Sequence, residues 1–173
     1  MTERIYRTIT GRPFDLGELG PAERDFLGDV REKYQSEPEW SAFSSWWIAK
    51  LKETGLWMDS PAYRICQDLE ARLGIAQGRV ALPDYRDYLV DLIKERYGSY
   101  YRFCKETGVD PGHLSRVLSS KSDLSLQNLQ RILATLGVSL SIQTSEDLAE
   151  RVSPERALAA LAYAPAQLAS AES

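Results

Sequence analysis

The chain has 173 residues, of which 43% are apolar and 27% are charged, a composition typical of a soluble protein with one core or two small ones. This composition excludes disorder throughout the chain. The formal net charge of −4 is mildly acidic, so binding to nucleic acid would require a local basic surface.

The residues of most catalytic and metal sites are scarce in this sequence. His113 is the one histidine, which excludes a His-rich metal site, and Cys66 and Cys104 lack the C-x-x-C spacing and fall on apolar helical faces. Glycine-rich phosphate-binding motifs are also missing. We therefore expect no cofactor, no metal and no enzymatic activity, although carboxylate chemistry stays open because the chain has 25 Asp and Glu residues.

The first residues, MTERIYRTITGRPF, lack the continuous apolar run of a signal peptide, and no segment approaches the ~20 apolar residues of a membrane span. We expect a cytoplasmic protein without a membrane partner.

A short strand over residues 4–10 and three helices are predicted in the first part of the chain. Gly20-Pro21 starts the first helix. The second ends at Gly55, and the third begins at Ser60-Pro61 and ends near Gly74. The glycines and proline of residues 74–83 then predict a linker.

Four tryptophans stand in or near the second helix. Their helical spacing favours core packing for Trp40, Trp47 and Trp57 over a ligand-binding or base-stacking role. Trp46 lies off the apolar stripe, so we expect it to cover a neighbouring domain or a partner.

Short helices crowd the middle of the chain. Ser99, Asp110 and Ser125 each stand where a helix needs an N-cap. Two of these helices meet through Gly108-Val109-Asp110, which predicts a sharp corner. The alternation in VSLSIQT predicts a half-buried strand over Val138–Gln143, and Ser153-Pro154 starts a last helix.

The stretch from Ser99 to Gly137 carries a recurrent pattern around this corner. Phe103 and Cys104 take the core and small positions of the helix before the turn, and Gly108-Val109 forms the turn. Further matches are Ser115-Arg116, Lys121 and the run from Leu126 to Val138. With these residues the segment resembles the helix-turn-helix of the Cro and phage-repressor superfamily, also called the xenobiotic-response-element family. The resemblance covers about 55 residues when the preceding helix from Asp84 is counted.

The resemblance implies that residues 111–119 form a recognition helix for double-stranded DNA. Leu114, Val117 and Leu118 would face inward, which leaves the polar face for the partner. The implied DNA-binding residues are Ser99, Tyr100, Pro111, Gly112, His113, Ser115, Arg116 and Lys121.

Within this set the expected roles differ. Arg116 can bond guanine O6 and N7 together, and His113 and Ser115 add single hydrogen bonds. Ser99, Tyr100 and Lys121 would hold phosphates. Pro111 and Gly112 have no side-chain donor where polar residues are common in the family, which shifts specificity toward DNA shape.

Charge is divided unevenly along the chain. Residues 86–142 contain eight cationic and six acidic side chains, a net charge of +2, which leaves −6 for the rest of the chain. This sign is the one expected for a DNA-contacting module on an acidic body.

We therefore predict a mostly α-helical protein with a helix-turn-helix (lambda-repressor-like) domain and a short β element. The predicted divisions are an N-terminal helical region over residues 1–81, the helix-turn-helix domain over residues 82–142, and a C-terminal helix with a frayed tail over residues 143–173.

The predicted function is sequence-specific transcriptional regulation by a dimeric repressor, because one recognition helix spans too few base pairs for useful specificity. The homodimer would form through the strand at Val138–Gln143 or through the acidic N-terminal region. Three alternatives stay open: a HigA-like antitoxin that binds a toxin through the N-terminal region, a protein-binding adaptor without DNA, and a carboxylate enzyme.

Overall fold

The computed structural model describes residues 4–162, which form two compact units. Residues 4–82 and 145–162 form the first, which we call the outer unit, and residues 83–144 form the second, the inserted unit. Secondary structure in the outer unit begins with strands β1 (Ile5–Arg7) and β2 (Pro13–Asp15) and helices α1 (Pro21–Gln35), α2 (Trp40–Thr54) and α3 (Pro61–Ala76). The inserted unit contains α4 (Tyr85–Tyr97), α5 (Tyr100–Thr107), α6 (Pro111–Leu118) and α7 (Leu126–Thr135), and the outer unit resumes with α8 (Ser145–Val152) and α9 (Pro154–Leu161).

The mostly α-helical fold class is confirmed, and the strand predicted near the amino end is confirmed over Ile5–Arg7. β1 pairs antiparallel with β2, and Tyr6 lies opposite Phe14. None of the helices within residues 4–162 has both the length and the apolar composition needed to cross a lipid bilayer.

The core of the outer unit is built from the inward faces of α1, α2, α3 and α9. Trp47 is buried there, as expected, and the Phe43 ring meets Tyr34 edge to face, with the ring centroids 5.2 Å apart. Residues 145–162 therefore share a core with the first part of the chain, whereas the sequence suggested a separate C-terminal region.

A buried ion pair joins these distant segments. On α3, Arg72 Nε donates to Asp68 Oδ2 at 2.7 Å, and Tyr6 Oη donates to the same oxygen at 2.6 Å. The Arg72 guanidinium also donates to the carbonyl oxygens of Arg151 and Ser153, at 2.7 and 3.2 Å. One arginine thus satisfies backbone acceptors in the turn between α8 and α9 that would otherwise lose hydrogen bonds on burial.

Three details of the outer unit differ from the sequence prediction. Helix α3 continues to Ala76, and Gly74 is buried inside it. A Cβ at this position would stand only 2.4 Å from Val80 Cγ2, so the close packing requires glycine. Trp57 is not a core residue: it follows α2 in a loop and is 85% exposed. Trp46 is half-buried and stacks on Phe43, so part of its surface belongs to the unit's own core.

The predicted strand over Val138–Gln143 is wrong. These residues have no strand partner, and Leu140 and Ile142 are exposed. An alternating pattern becomes a strand only when a second strand accepts its backbone hydrogen bonds, and the inserted unit contains only helices.

Candidate nucleic-acid interface

The corner between α5 and α6 follows from three consecutive residues. Gly108 ends α5 with φ +76°, a left-handed conformation that favours glycine, and its N–H donates to Cys104 O at 2.9 Å. Val109 packs against the core, and Asp110 caps α6 by accepting a hydrogen bond from His113 N. The chain therefore turns sharply and starts α6 at Pro111.

Helix α6 is held from one side only. Leu114 and Val117 are buried, and Leu114 packs in the same apolar cluster as Leu89, Ile93 and Phe103. Because the buried residues lie on one face, Pro111, Gly112, Ser115, Arg116 and Ser119 are exposed on the other. His113 was expected to point away from the core as well, but it is half-buried.

The side chain of Arg116 runs along α6 toward the amino end of the helix. A Cβ at Gly112 would lie 3.6 Å from Arg116 Nη1, so the guanidinium passes beside the place where a larger residue would project. Within residues 4–162 the guanidinium of Arg116 donates no hydrogen bond, so its N–H donors are open near the start of α6.

Helix α6 ends in a tight turn that presents Lys121. Ser120 adopts the left-handed conformation with φ +59°, and its N–H donates to Val117 O at 3.0 Å. Lys121 N donates to Arg116 O at 2.8 Å, which completes a Schellman motif. Lys121 is therefore exposed on a fixed turn.

An apolar cleft of about 510 Å³ lies beside the exposed face of α6. Three of the predicted site residues, Tyr100, Pro111 and Ser115, line it together. The sequence analysis did not select Tyr101 and Ser119, which also line this cleft. Tyr101 is 75% exposed, a property that its helical position alone did not reveal.

The start of α5 supplies a second polar edge. Ser99 Oγ caps the helix by accepting from Arg102 N at 3.2 Å. Partial burial, and to a smaller extent the carboxylate of Asp91, raise the pKa of Tyr100, and its hydroxyl, like that of any tyrosine, is a hydrogen-bond donor at neutral pH. Ser99 and Tyr100 thus stand at a helix N-terminus, where backbone N–H groups and hydroxyls suit an anion.

Arg86 holds the turn after α6 in place, a role that its sequence position did not indicate. On α4, its Nε donates to Val117 O at 2.9 Å, and its Nη2 pairs with Asp123 Oδ1. The residues it joins are more than 30 positions away in the chain, so no local pattern could have identified the contact. Arg86 fixes the segment that carries Lys121.

The cations of the inserted unit differ in availability. Arg86 and Arg102 are paired with carboxylates, whereas Arg116 and Lys121 form no ion pair within residues 4–162. In the same part of the chain, no three His, Cys, Asp or Glu side chains are grouped so that they could hold a metal ion. The groups that this surface offers to a ligand are therefore the unpaired cations Arg116 and Lys121, hydroxyls and backbone N–H groups.

Comparison with protein families gives a match in the inserted unit. The model of the helix-turn-helix family covers residues 91–143, from within α4 to just beyond α7. No curated protein and no solved structure matches the chain significantly.

Proposed function

Because residues 91–143 form a helix-turn-helix domain of the Cro and phage-repressor family, we propose that the protein is a sequence-specific repressor that inserts α6 into the major groove of DNA. The observation that carries the proposal is the placement of Arg116. Among residues 4–162 this exposed cation has no ion-pair partner, and the helix that presents it begins at a capped corner and ends in a Schellman turn.

Three kinds of contact are proposed. Arg116 reads guanine through O6 and N7, with Ser115 and His113 as neighbouring single donors. The methylene groups of Pro111 contact a thymine methyl, and the bare backbone at Gly112 permits a close approach to the groove wall. Ser99 and Tyr100 hold one phosphate at the start of α5, and Lys121 holds a phosphate beyond the end of α6.

The repressor is proposed to act as a homodimer. A helix of eight residues reads only a few base pairs, so two half-sites about one duplex turn apart are needed. Residues 138–143 are the proposed contact, because Leu140 and Ile142 are exposed and alternate with polar residues. In a second copy the same segment would provide the strand partner that one chain lacks.

The proposal is tested by selecting bound fragments from genomic DNA and measuring the affinity for the selected site at several salt concentrations. Substituting Arg116→Ala is expected to weaken cognate binding by about 1 to 3 kcal/mol and to relax the preference at one position. Lys121→Ala is expected to weaken all sequences alike and to reduce the salt slope by about one.

The matched control is Arg131→Ala, which removes the same charge from an exposed position on α7 outside the proposed interface. Its affinity should stay close to that of the wild type. An unchanged footprint and affinity for Arg116→Ala would contradict the proposal, and so would equal losses for Arg116→Ala and Arg131→Ala.

The antitoxin function is an alternative proposal that adds one requirement, a toxin bound to the outer unit. Copurification with the product of a neighbouring gene would distinguish it from a repressor without such a partner.

A further inference from the structure

The outer unit contains a cleft that DNA binding does not use. It lies between α2 and α3, has a volume of about 430 Å³, and falls in the size range of sites for small organic ligands. The residues that carry the argument below are Trp40, Trp47, Lys52, Tyr63, Gln67 and Glu70.

Aromatic rings form much of the wall. Trp47 and Tyr63 meet edge to face with their centroids 5.5 Å apart, and Trp40 lines the same cleft. Met58 and Ile48 extend the apolar surface at the opening, where they are 69% and 37% exposed. Such a wall accepts a hydrocarbon surface.

One carboxylate is set into this wall. Glu70 is half-buried, and its Oε2 accepts a hydrogen bond from Trp47 Nε1 at 2.7 Å. Within residues 4–162, Oε1 of the same carboxylate has no hydrogen-bond or ion-pair partner. The contact with Trp47 uses one oxygen, so the second is available to a ligand, in surroundings that screen its charge less than water does.

The other charged groups at the cleft do not neutralise Glu70. Lys52 lines the cleft but is exposed, so its flexible chain can keep the ammonium in water. Arg64 stands over the Tyr63 ring at 5.7 Å and is paired with Asp59. Gln67 donates to Tyr63 Oη at 3.0 Å and contributes no charge.

We propose that this cleft binds an apolar organic cation, a substituted ammonium that carries an aromatic or branched hydrocarbon group. The hydrocarbon would pack against the aromatic walls, and the positive charge would lie beside Glu70 Oε1. An anion would be repelled by Glu70, and a neutral hydrocarbon would remove that oxygen from water without placing an opposite charge beside it.

The test is a calorimetric titration of the full chain with benzyltrimethylammonium and with neopentylbenzene, which has the same shape without the charge. The cation is expected to bind more tightly than its neutral isostere. Glu70→Gln keeps an acceptor for Trp47 and removes the charge, so it should weaken cation binding about five- to tenfold, whereas the neutral isostere should bind at least as tightly as to the wild type.

Two further variants complete the design. Glu32→Gln removes one carboxylate from an exposed position on α1 away from the cleft, and it should leave binding unchanged. Lys52→Glu replaces a positive by a negative charge at the exposed edge and should strengthen cation binding by a few-fold. Equal binding of the cation and the neutral isostere, or no response to Glu70→Gln and Lys52→Glu, would overturn the proposal. DNA affinity is measured separately, and its loss or retention does not bear on this result.

Discussion

Arg72 in the outer unit and Arg116 in the inserted unit are the same residue type in opposite surroundings. The Arg72 side chain is 2% exposed, and its donors contact Asp68 and three backbone carbonyls, one in β1 and two in the α8–α9 turn. Arg116 is exposed and has no ion pair within residues 4–162. An arginine is available to a partner when the chain leaves its donors unused, and the packing of its helix decides this.

The two units also use their polar residues differently. In the outer unit, Asp68 and Arg72 lie inside and connect α3 to β1 and to the α8–α9 turn. In the inserted unit the described interior is apolar, and Ser99, Asp110 and Ser125 cap helix starts at the surface. The first arrangement holds chain segments together, and the second leaves a helix face unoccupied.

The sharpest test of this contrast is Arg72→Ala. The substitution leaves the Asp68 carboxylate buried without its cation, so the free energy of unfolding should fall by about 3 to 5 kcal/mol. Urea unfolding measures the loss. Arg64→Ala removes another arginine of α3, whose ion pair with Asp59 lies at the surface, and it should cost only about 0 to 1 kcal/mol. Similar losses in both variants would show that the buried pair has no special role.

Local residue patterns were sufficient for much of the fold. The caps at Ser99, Asp110 and Ser125 and the glycine at Gly108 are where the sequence placed them, because capping depends on neighbours within a few positions. The helix-turn-helix resemblance rests on the same short-range signals, and the family match confirms it.

Contacts between distant residues were not predictable in this way. The strand expected at Val138–Gln143 fails because no second strand is available, and Trp57 is exposed because its helix ends before it. The cleft beside α6 depends on how α5 and α6 meet, which sequence spacing does not specify. The sequence analysis included Arg86 only in the net charge. The structure shows that it bonds to Val117 O and to the Asp123 carboxylate.

Arg86 is intermediate between Arg72 and Arg116. It belongs to the inserted unit, like Arg116, but its donors bond within the protein, like those of Arg72. Arg86→Lys keeps the charge but loses the planar fork that reaches both Val117 O and Asp123. The turn that carries Lys121 should then be less well fixed. We expect DNA affinity to fall roughly three- to tenfold and the salt slope to become shallower by about one phosphate contact.

Arg86→Lys leaves the net charge of the protein unchanged. A shallower salt slope would therefore report a lost phosphate contact and not a lost charge. Arg131→Lys is the matched control on α7 and should alter neither affinity nor slope. If Arg86→Lys bound DNA more weakly with an unchanged salt slope, Arg86 would not act by positioning Lys121, and this prediction would be contradicted.

The smallest expected effect concerns the turn itself. Ser120 is a non-glycine residue with φ +59°, a conformation that costs energy for side chains with a Cβ. Ser120→Gly should therefore raise the free energy of unfolding of the inserted unit by about 0.5 to 1 kcal/mol, measured by thermal or urea unfolding. Ser119→Gly changes the neighbouring residue, which has φ −89°, and should destabilise the unit instead. At this φ glycine relieves no strain, and it increases the conformational entropy that the chain loses on folding. If both variants changed stability in the same direction, the left-handed turn would not be the feature that ends α6 and presents Lys121.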